Sequence, residues 1–489
     1  MNSDLSTRRF TIFLWIALAI TLLRIVYLFI NQRDLDIEEN QYWVWSQNLA
    51  WGYHSKPPLI SWIIHLSTWL FGNNAWAIRF FCPIIYLLSA SFIYGCGQAL
   101  YDSKVAFWAG LTILLLPGVT YSATILSTDP LLLFFWSAGL YCLIQAGKSG
   151  KLLWWLLLGA AIGLGVMSKY TMLVFILSAG LYFIWDFRSK VIIQKWQGVY
   201  SLLVAFAFFS PNLFWNLQHH DAALNHVVNH NMLWDRSNLF HFKNLMVFLL
   251  EQAGIIGPIL FIFIIPAWLQ KNNQKTDTQR LLLCFTLPML ILIMGQAVVS
   301  RAYANWAVAA YPSGVLLIVA YLCQKSFTGW LKASLVVNIA IAVWLMGWEL
   351  AIAYGYCHWP LAAHPSWVDF GRIISQQQAK FPNREYLVDN RELWSRILYY
   401  GKIPMSKVLI WDPENIQDWS SDAPKNSNQI KGGHFIFVTY SDHLPTSMLK
   451  CLGDYQKITH IKVNQRLRTK PADINLFSLI NLQFPCRKN

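Results

Sequence analysis

Charged residues are scarce in this sequence: they make up 13% of its 489 residues, against about 25% in typical soluble domains. Hydrophobic residues make up 56%, and the chain contains 25 tryptophans. This composition excludes an ordinary soluble globular protein and indicates a membrane protein. The formal net charge of +14 does not indicate nucleic-acid binding, because Lys and Arg form short clusters between apolar runs rather than one basic domain.

Two further absences concern the cysteines and the N-terminus. None of the eight cysteines shows metal-ligand spacing, and only Cys357, Cys451 and Cys486 lie in or near the tail rather than in an apolar run. The first apolar run, from about Phe10 to Ile30, lacks a small-residue cleavage site and is long enough to cross ~30 Å of hydrocarbon. We therefore interpret it as a retained span rather than a removed signal peptide.

Apolar runs predict eleven membrane-spanning helices within residues 1–355. Their approximate bounds are 10–30, 76–100, 105–118, 130–146, 152–167, 170–185, 199–215, 244–267, 281–299, 303–323 and 329–354. A shorter apolar run from Pro57 to Phe71 predicts a helix in the membrane interface. Lys and Arg clusters fall in alternate connections on the side of the N-terminus, which the positive-inside rule assigns to the cytoplasm. The first external loop, residues 31–75, and the tail then face outside.

The tail, residues 356–489, has a different character. Charges return, spans stop, and helical patterns lie between strand-like runs. The strand-like runs are 386–388, 408–411 and 434–439, and the helical patterns are 367–381, 391–400 and 445–452. The predicted fold class is therefore an α-helical polytopic membrane protein with a small C-terminal external α/β domain.

Acidic residues are concentrated directly after the first span. Asp34, Asp36, Glu38 and Glu39 place four carboxylates within six residues, where the chain is predicted to leave the bilayer. A carboxylate can take the proton from a hydroxyl nucleophile if its reach and pKa suit that task. Glu38 and Asp36 are therefore candidates for a general base, with Glu39 beside them.

Several sequence blocks between about residues 10 and 325 form a specific set. They are Glu-Glu-Asn-Gln-Tyr-Trp-Val-Trp-Ser from residue 38, followed by Gly-Tyr and Pro-Pro-Leu-Ile, then the blocks at 127–136, 163–171, 210–219 and 304–306. This set resembles bacterial GT-C glycosyltransferases related to protein O-mannosyltransferases and the lipid A aminoarabinose transferases, the type of glycosyltransferase family 39. The resemblance implies a GT-C fold with a transmembrane catalytic module.

The resemblance also implies a role for the first acid of the loop. In such enzymes this acid is usually Asp and is thought to take the proton from the acceptor hydroxyl. This chain has Glu38 there, one methylene longer, with Glu39 after it. A Glu carboxylate can still act as the base, but the longer arm changes the geometry, and Asp36 becomes a second candidate.

Sugar transfer from a lipid phosphate also needs a cation, because the departing phosphate gains charge as the glycosidic bond breaks. Cations near the predicted outer surface are Lys56, Arg24, Arg79, Lys169 and Arg301. The position of Arg24 is equally compatible with snorkelling to the interface and with facing a protein cavity, and Lys169 is equally compatible with satisfying a short turn. Lys56 precedes two prolines, and we favour it as the phosphate partner.

Candidate substrate-binding residues surround these charges. They are Asp129, Tyr42, Trp43, Tyr53, His54 and Trp306. Aromatic rings can stack on sugar faces, although such rings also form an interfacial belt by default. Asp129 precedes a proline at a helix start, where it can act as a helix N-cap instead.

A histidine group offers a weaker metal hypothesis. His219, His220, His226 and His230 include an i, i+4 pair that would suit a metal on a helix face. A third ligand with proper spacing is missing from the sequence, so we expect no metal and no other cofactor.

These features predict an integral-membrane glycosyltransferase. It would move a monosaccharide from a polyprenyl-phosphate carrier, which the resemblance implies, to a hydroxyl of lipid A or lipopolysaccharide, another glycan or a protein. A transporter or flippase of lipid-linked sugars would need polar residues near the midplane and often repeated halves, and no repeat is evident. An inactive binding homologue is the other alternative, for which Glu38 is the best argument. We expect a monomer in the bacterial inner membrane, with its site and tail facing the periplasm.

Overall fold

The structure is a computed structural model that describes residues 2–31, 33–185, 196–219, 240–270, 276–354, 366–412, 433–463 and 472–482. The chain forms two compact units. The first comprises Met1–Asn31 and Lys56–Trp348, and the second comprises Gln32–Ser55 and Glu349–Asn489. Most of the acidic loop therefore groups with the tail, an association that the sequence did not predict.

The first unit is helical throughout its described residues. Its α-helices are α1 (Asn2–Ile30), α3 (Leu59–Phe71), α4 (Ala75–Arg79), α5 (Phe81–Leu100), α6 (Ser103–Leu115), α7 (Pro117–Ser122), α8 (Asp129–Ser149), α9 (Leu152–Ser168), α10 (Leu173–Trp185), α11 (Gln197–Gln218), α12 (Phe242–Ile256), α13 (Pro258–Ile262), α14 (Ile264–Leu269), α15 (Thr276–Val299), α16 (Tyr311–Gln324) and α17 (Thr328–Ala353). Short 3₁₀ helices cover Tyr170–Met172 and Ala304–Ala310.

Within the residues that the structure describes, seven helical segments are long and apolar enough to cross a membrane. They are Asp4–Ile30, Ala75–Leu100, Asp129–Ser149, Gln197–Gln218, Asp277–Val299, Ala304–Gln324 and Thr328–Ala351. Three further predicted spans correspond to shorter apolar helices, α6, α9 and the segment Tyr170–Trp185. The predicted span 244–267 is broken into α12, α13 and α14; the first break occurs because Gly257 adopts φ +91 and Pro258 starts a new helix. A multi-pass helical protein is confirmed, whereas the count of eleven spans stays a prediction.

Small residues allow close packing between α9 and α11. A Cβ added to Gly159 would lie 2.4 Å from the carbonyl oxygen of Ser201, and one added to Gly163 would lie 2.6 Å from that of Ala205. Glycines four residues apart lie on one helix face, so the two backbones can approach closely along a shared seam. A side chain at either glycine would push the two helices apart.

The described residues of the second unit form a five-stranded mixed sheet. Its strands are β1 (Glu385–Val388), β2 (Val408–Ile410), β3 (Gly433–Thr439), β4 (Asp454–Val463) and β5 (Ala472–Leu482), in the order β2-β1-β3-β5-β4. The first three strands are parallel to one another, and β5 pairs antiparallel with β3 and β4. The helices of this unit are α2 (Ile37–Ser46), α18 (Trp367–Lys380), α19 (Arg391–Tyr400) and α20 (Thr446–Leu449).

Alternating side chains give the sheet two apolar faces. Tyr386 and Val388 pack in one core with Phe370 of α18 and Trp394 of α19, whereas Leu387 belongs to a second core on the opposite face. Helix α2 contributes to the first of these cores through Val44. The part of the acidic loop from Gln32 to Ser55 therefore belongs to the folded C-terminal unit.

The predicted elements of the tail agree with the structure where a segment is apolar. Strands at 386–388, 408–411 and 434–439 and helices at 367–381 and 391–400 coincide with β1, β2, β3, α18 and α19 within two residues. The sequence did not predict β4, most of whose residues are exposed or half-buried and therefore lack an apolar run. It also did not predict β5.

Candidate active site

Helix α2 carries the candidate catalytic acids at its N-terminus. Asp36 is the N-cap residue, and the Glu39 carboxylate accepts a hydrogen bond from the Asp36 backbone N–H at 2.8 Å, which forms a capping box. Acidic residues in the first turn also interact favourably with the positive end of the helix dipole. The local sequence therefore starts a helix at this point and fixes the direction of its first turn.

The three candidate bases occupy different environments. Asp36 forms an ion pair of 2.7 Å with Arg33, and Glu39 is 1% exposed and engaged in the capping box. Glu38 is exposed, and its carboxylate accepts a hydrogen bond of 2.9 Å from the Tyr42 hydroxyl, one turn along the helix. Glu38 is therefore the acid best placed to receive a proton from a substrate, and its assignment as the base stays a prediction.

Several aromatic residues predicted to bind substrate are packed into the second unit. Tyr42, Tyr53 and His54 are buried, and Tyr53 stacks on Trp45 with ring centroids 4.6 Å apart. Trp43 is half-buried and meets the edge of Tyr399 at 4.9 Å. Tyr42 therefore contacts the candidate base Glu38. Trp43, Tyr53 and His54 make ring contacts within the second unit. Their binding roles remain predictions.

The first unit contains a second polar cluster, built from three separate sequence blocks. Asp129, at the start of α8, pairs with Lys169 at 2.6 Å through one carboxylate oxygen. Its other oxygen accepts a hydrogen bond of 2.6 Å from the Asn305 amide. Asp129 is buried, and each of its two carboxylate oxygens has a partner, as buried polar atoms usually do. The sequence analysis singled out Asp129 and Lys169 but missed their pairing, and it missed the role of Asn305.

The segment from Ser300 to Trp306, between α15 and α16, is fixed by hydrogen bonds from side chains of α12. The Asn244 amide donates to the Ser300 carbonyl at 2.8 Å, and the Gln252 amide donates to the Ala304 carbonyl at 3.2 Å. On this support Arg301 is exposed and lies 4.7 Å above the Tyr303 ring. The predicted site residue Trp306 is half-buried and meets the edge of Tyr303 at 5.4 Å. The segment therefore offers a cation and an aromatic face together.

The remaining predicted cations differ in burial. Arg24 is buried and donates to the Leu114 carbonyl at 2.5 Å and to the Thr120 hydroxyl at 3.0 Å, so it braces the ends of α6 and α7. Arg79 is also buried, whereas Lys56 is half-buried ahead of α3. Of the two interpretations of Arg24, these contacts favour a position inside the protein over snorkelling to the interface.

A polar network missed by the sequence analysis lies next to Lys169. The Tyr170 hydroxyl donates to the Asn212 side chain at 3.1 Å, and the Asn216 amide donates to the same hydroxyl at 3.3 Å. Both asparagines stand in the block at 210–219 that carried the resemblance, so their repetition at i, i+4 on one helix face was the available signal.

The histidine hypothesis falls mostly outside the described residues. His219 is exposed and stacks on Trp215 with ring centroids 4.0 Å apart, whereas His220, His226 and His230 are not described. Within the described part of the chain, no group of three or more His, Cys, Asp or Glu side chains could hold a metal ion. The expectation of no cofactor stays a prediction.

Solved structures show which fold this arrangement belongs to. The chain superimposes on ArnT from Cupriavidus metallidurans in the apo state with a TM-score of 0.63 and 14% identity, covering 96% of this chain and 98% of that one. The same protein bound to undecaprenyl phosphate gives a TM-score of 0.61. The chain therefore shares the fold of ArnT, the GT-C fold.

Sequence comparisons identify the family. The family model for dolichyl-phosphate-mannose-protein mannosyltransferases matches residues 55–215. A lipid A galacturonosyltransferase from Rhizobium johnstonii is 33% identical over 329 residues, 66% of this chain and 68% of that protein. An undecaprenyl phosphate-alpha-4-amino-4-deoxy-L-arabinose arabinosyl transferase from Erwinia tasmaniensis is 25% identical over 67% of this chain and 60% of that protein.

The chain belongs to the GT-C glycosyltransferase family that includes these lipid A galacturonosyl and aminoarabinose transferases. The predicted enzyme class, glycosyltransferase, is thereby confirmed, and the transporter alternative loses its support because the relatives are named as transferases.

Proposed function

We propose that this protein transfers a monosaccharide from a polyprenyl-phosphate carrier to a hydroxyl of a lipid A or lipopolysaccharide acceptor. The names of its relatives support this choice, since they include a lipid A galacturonosyltransferase and a transferase that uses an undecaprenyl-phosphate-linked sugar. The observation that carries the proposal is the position of Glu38, an exposed carboxylate at the N-terminus of a helix whose other acids are engaged in capping and ion pairing.

The base in this reaction is Glu38. The acceptor hydroxyl oxygen attacks the anomeric carbon of the sugar, and its proton passes to the Glu38 carboxylate as the new glycosidic bond forms. The hydrogen bond from the Tyr42 hydroxyl fixes the orientation of the Glu38 carboxylate through one of its oxygens. The acceptor proton passes to the other oxygen.

The leaving group in this reaction is the carrier phosphate. The bond between the anomeric carbon and the phosphate oxygen breaks, and both bonding electrons leave with the phosphate. A fixed cation stabilises this developing charge more than it stabilises the ground state.

Among the candidate cations for this phosphate, Lys56 is our first choice because two buried prolines follow it and restrict its backbone. Lys169 is a weaker choice because Asp129 already neutralises its charge at 2.6 Å. Arg301 is exposed and remains an alternative partner.

We place the acidic loop and the tail on the periplasmic side of the bacterial inner membrane. The distribution of Lys and Arg among the connections supports this orientation.

A donor panel with purified protein tests the proposal. The protein in detergent is incubated with a lipid A acceptor and with polyprenyl-phosphate donors that carry galacturonic acid, aminoarabinose or mannose. The mass of the lipid A product is then measured by mass spectrometry. The proposal expects one donor to add one sugar residue to lipid A. Mass spectrometry of envelope glycolipids from cells with and without the gene identifies the natural product. No added sugar on lipid A or lipopolysaccharide in either assay would overturn the proposed acceptor.

A further inference from the structure

The residue that precedes the acidic helix is held through both of its backbone polar groups. The Leu35 N–H donates to the Tyr400 hydroxyl at 2.7 Å, and the Arg396 guanidinium donates to the Leu35 carbonyl. Leu35 is 1% exposed, so neither backbone group has ready access to water. Both partners lie on α19, more than 360 residues further along the chain. This contact therefore ties the start of α2 to a single helix of the C-terminal unit.

The two holding side chains are themselves fixed. Arg396 is 3% exposed, pairs with Glu392 at 3.3 Å and lies 4.3 Å above the Trp367 ring. A buried charge that loses its ion-pair partner is strongly destabilised, so the pair with Glu392 leaves Arg396 little freedom to move. Burial also raises the pKa of the Tyr400 hydroxyl well above its usual value, which keeps the hydroxyl protonated at neutral pH.

Neighbouring contacts extend the attachment along the acidic segment. The Asp34 carboxylate accepts a hydrogen bond of 3.4 Å from the Trp367 backbone N–H, on the N-terminal side of Leu35. On the other side, Trp43 of α2 meets Tyr399 edge-on, and Val44 enters the apolar core that contains α19. Because α2 is fixed at its start and along one face, its axis and its rotation are both determined, and so is the direction in which Glu38 projects.

We infer that Arg396 and Tyr400 are positioning residues for the catalytic acid, and that they set the position of Glu38 through the Leu35 backbone. This inference rests on the proposed role of Glu38 as the base. A general base must lie within hydrogen-bond reach of the proton that it removes, and small displacements of a reacting group lower the rate steeply. Neither residue needs to touch substrate in order to affect turnover.

Two conservative variants test the inference. Tyr400→Phe keeps the ring but removes the oxygen that receives the Leu35 N–H, and Arg396→Lys keeps the charge but removes the fork that reaches both Glu392 and Leu35. We expect each to lower kcat by ~10- to 100-fold, as a displaced reacting group does. The donor KM should stay within about twofold of the parent value, because uniform binding of the donor is untouched.

Tyr386→Phe is the matched control. Tyr386 is a buried tyrosine of the same unit, and its hydroxyl donates to the Ile374 carbonyl at 2.9 Å, in the contact between β1 and α18 rather than at Leu35. Tyr386→Phe also loses one buried hydrogen bond. If the loss of such a bond were enough to lower kcat, Tyr386→Phe would lower kcat as much as Tyr400→Phe does. We expect its kcat to equal that of the parent. Equal losses in Tyr386→Phe and Tyr400→Phe would overturn the inference, as would unchanged kcat in both Tyr400→Phe and Arg396→Lys.

A double variant separates this inference from the proposed function. If Tyr400 acts through Glu38, adding Tyr400→Phe to Glu38→Gln should cause no further loss of the residual turnover. A further loss of the same size as in the parent background would show that Tyr400 acts elsewhere. If Glu38→Gln alone keeps parental activity, the proposed base is wrong, and that outcome is distinct from a failure of the positioning role.

Discussion

In the second unit the candidate base Glu38 is exposed and accepts one hydrogen bond from Tyr42, whereas in the first unit Asp129 is buried between Lys169 and Asn305. Both residues are acids at helix starts, and both fall in sequence blocks that resemble the family. Their surroundings differ because one is left able to gain a proton, while the other has both oxygens occupied. Burial and hydrogen-bond partners therefore indicate that Glu38 is suited to proton transfer and that Asp129 is suited to linking the Lys169 and Asn305 side chains.

The largest expected effect on stability concerns Asp129. Asp129→Ala removes the partner of Lys169 and of Asn305, and it leaves the Lys169 ammonium, on a side chain that is 14% exposed, without its counter-charge. Breaking a buried ion pair in this way costs about 3–5 kcal/mol. Thermal unfolding of the purified protein in detergent measures the loss.

Asp277→Ala provides the control for that measurement. Asp277 is exposed and forms only a surface pair of 3.7 Å with Arg280, which is worth about 1 kcal/mol or less. Equal destabilisation by Asp129→Ala and Asp277→Ala would contradict the claim that the buried Asp129 stabilises the fold more than an exposed acid does.

The next effect concerns the phosphate partner. Lys56→Ala should lower turnover by ~10²–10³-fold if the ammonium stabilises the leaving phosphate. Lys56→Arg should restore activity only in part, since a planar fork places its charge and donors differently. Initial rates on a polyprenyl-phosphate donor measure both. Lys325→Ala, at an exposed lysine that follows α16, is the control and should behave like the parent. Full activity in both Lys56 variants would move the role to Arg301 or Lys169.

The smallest expected effect concerns Asp389, a half-buried acid that contrasts with the exposed Glu38 inside the same unit. Burial raises the pKa of the Asp389 carboxyl above its ordinary 3.8, although the Thr439 hydroxyl donates to it at 2.8 Å. A raised folded pKa means that Asp389 stabilises the unit below its unfolded pKa, and that this contribution is lost as pH rises through the folded value.

Asp389→Asn tests that sign. Its melting temperature should fall less than that of the parent as pH rises from 3.8 toward neutrality, because the amide does not ionise. Asp442→Asn, at an exposed carboxylate, should follow the parent curve. A larger fall in Asp389→Asn than in the parent would contradict the assigned direction.

Local features of this protein were predictable from the sequence, whereas distant contacts were not. Apolar runs predicted the spans, and short apolar segments predicted β1, β2 and β3, since both depend on local composition. The attachment of Leu35 to Arg396 joins segments separated by 361 positions, and no local pattern encodes it. The same reason hid the pairing of Asp129 with Asn305, although both stood in blocks already singled out.

The assignment of Glu38 as the base is tested most directly by comparing Glu38→Gln with Glu39→Gln on one polyprenyl-phosphate donor. Both changes remove a carboxylate and keep an amide oxygen, which can still accept from Tyr42 in the first case and from the Asp36 N–H in the second. Glu38→Gln should lower kcat by ~10²–10⁴-fold with donor KM unchanged, which is the usual cost of losing a general base. Glu39→Gln should stay within about tenfold of the parent, because its capping contact survives. Near-parental turnover in Glu38→Gln, or a greater loss in Glu39→Gln, would contradict the assignment of Glu38 as the base.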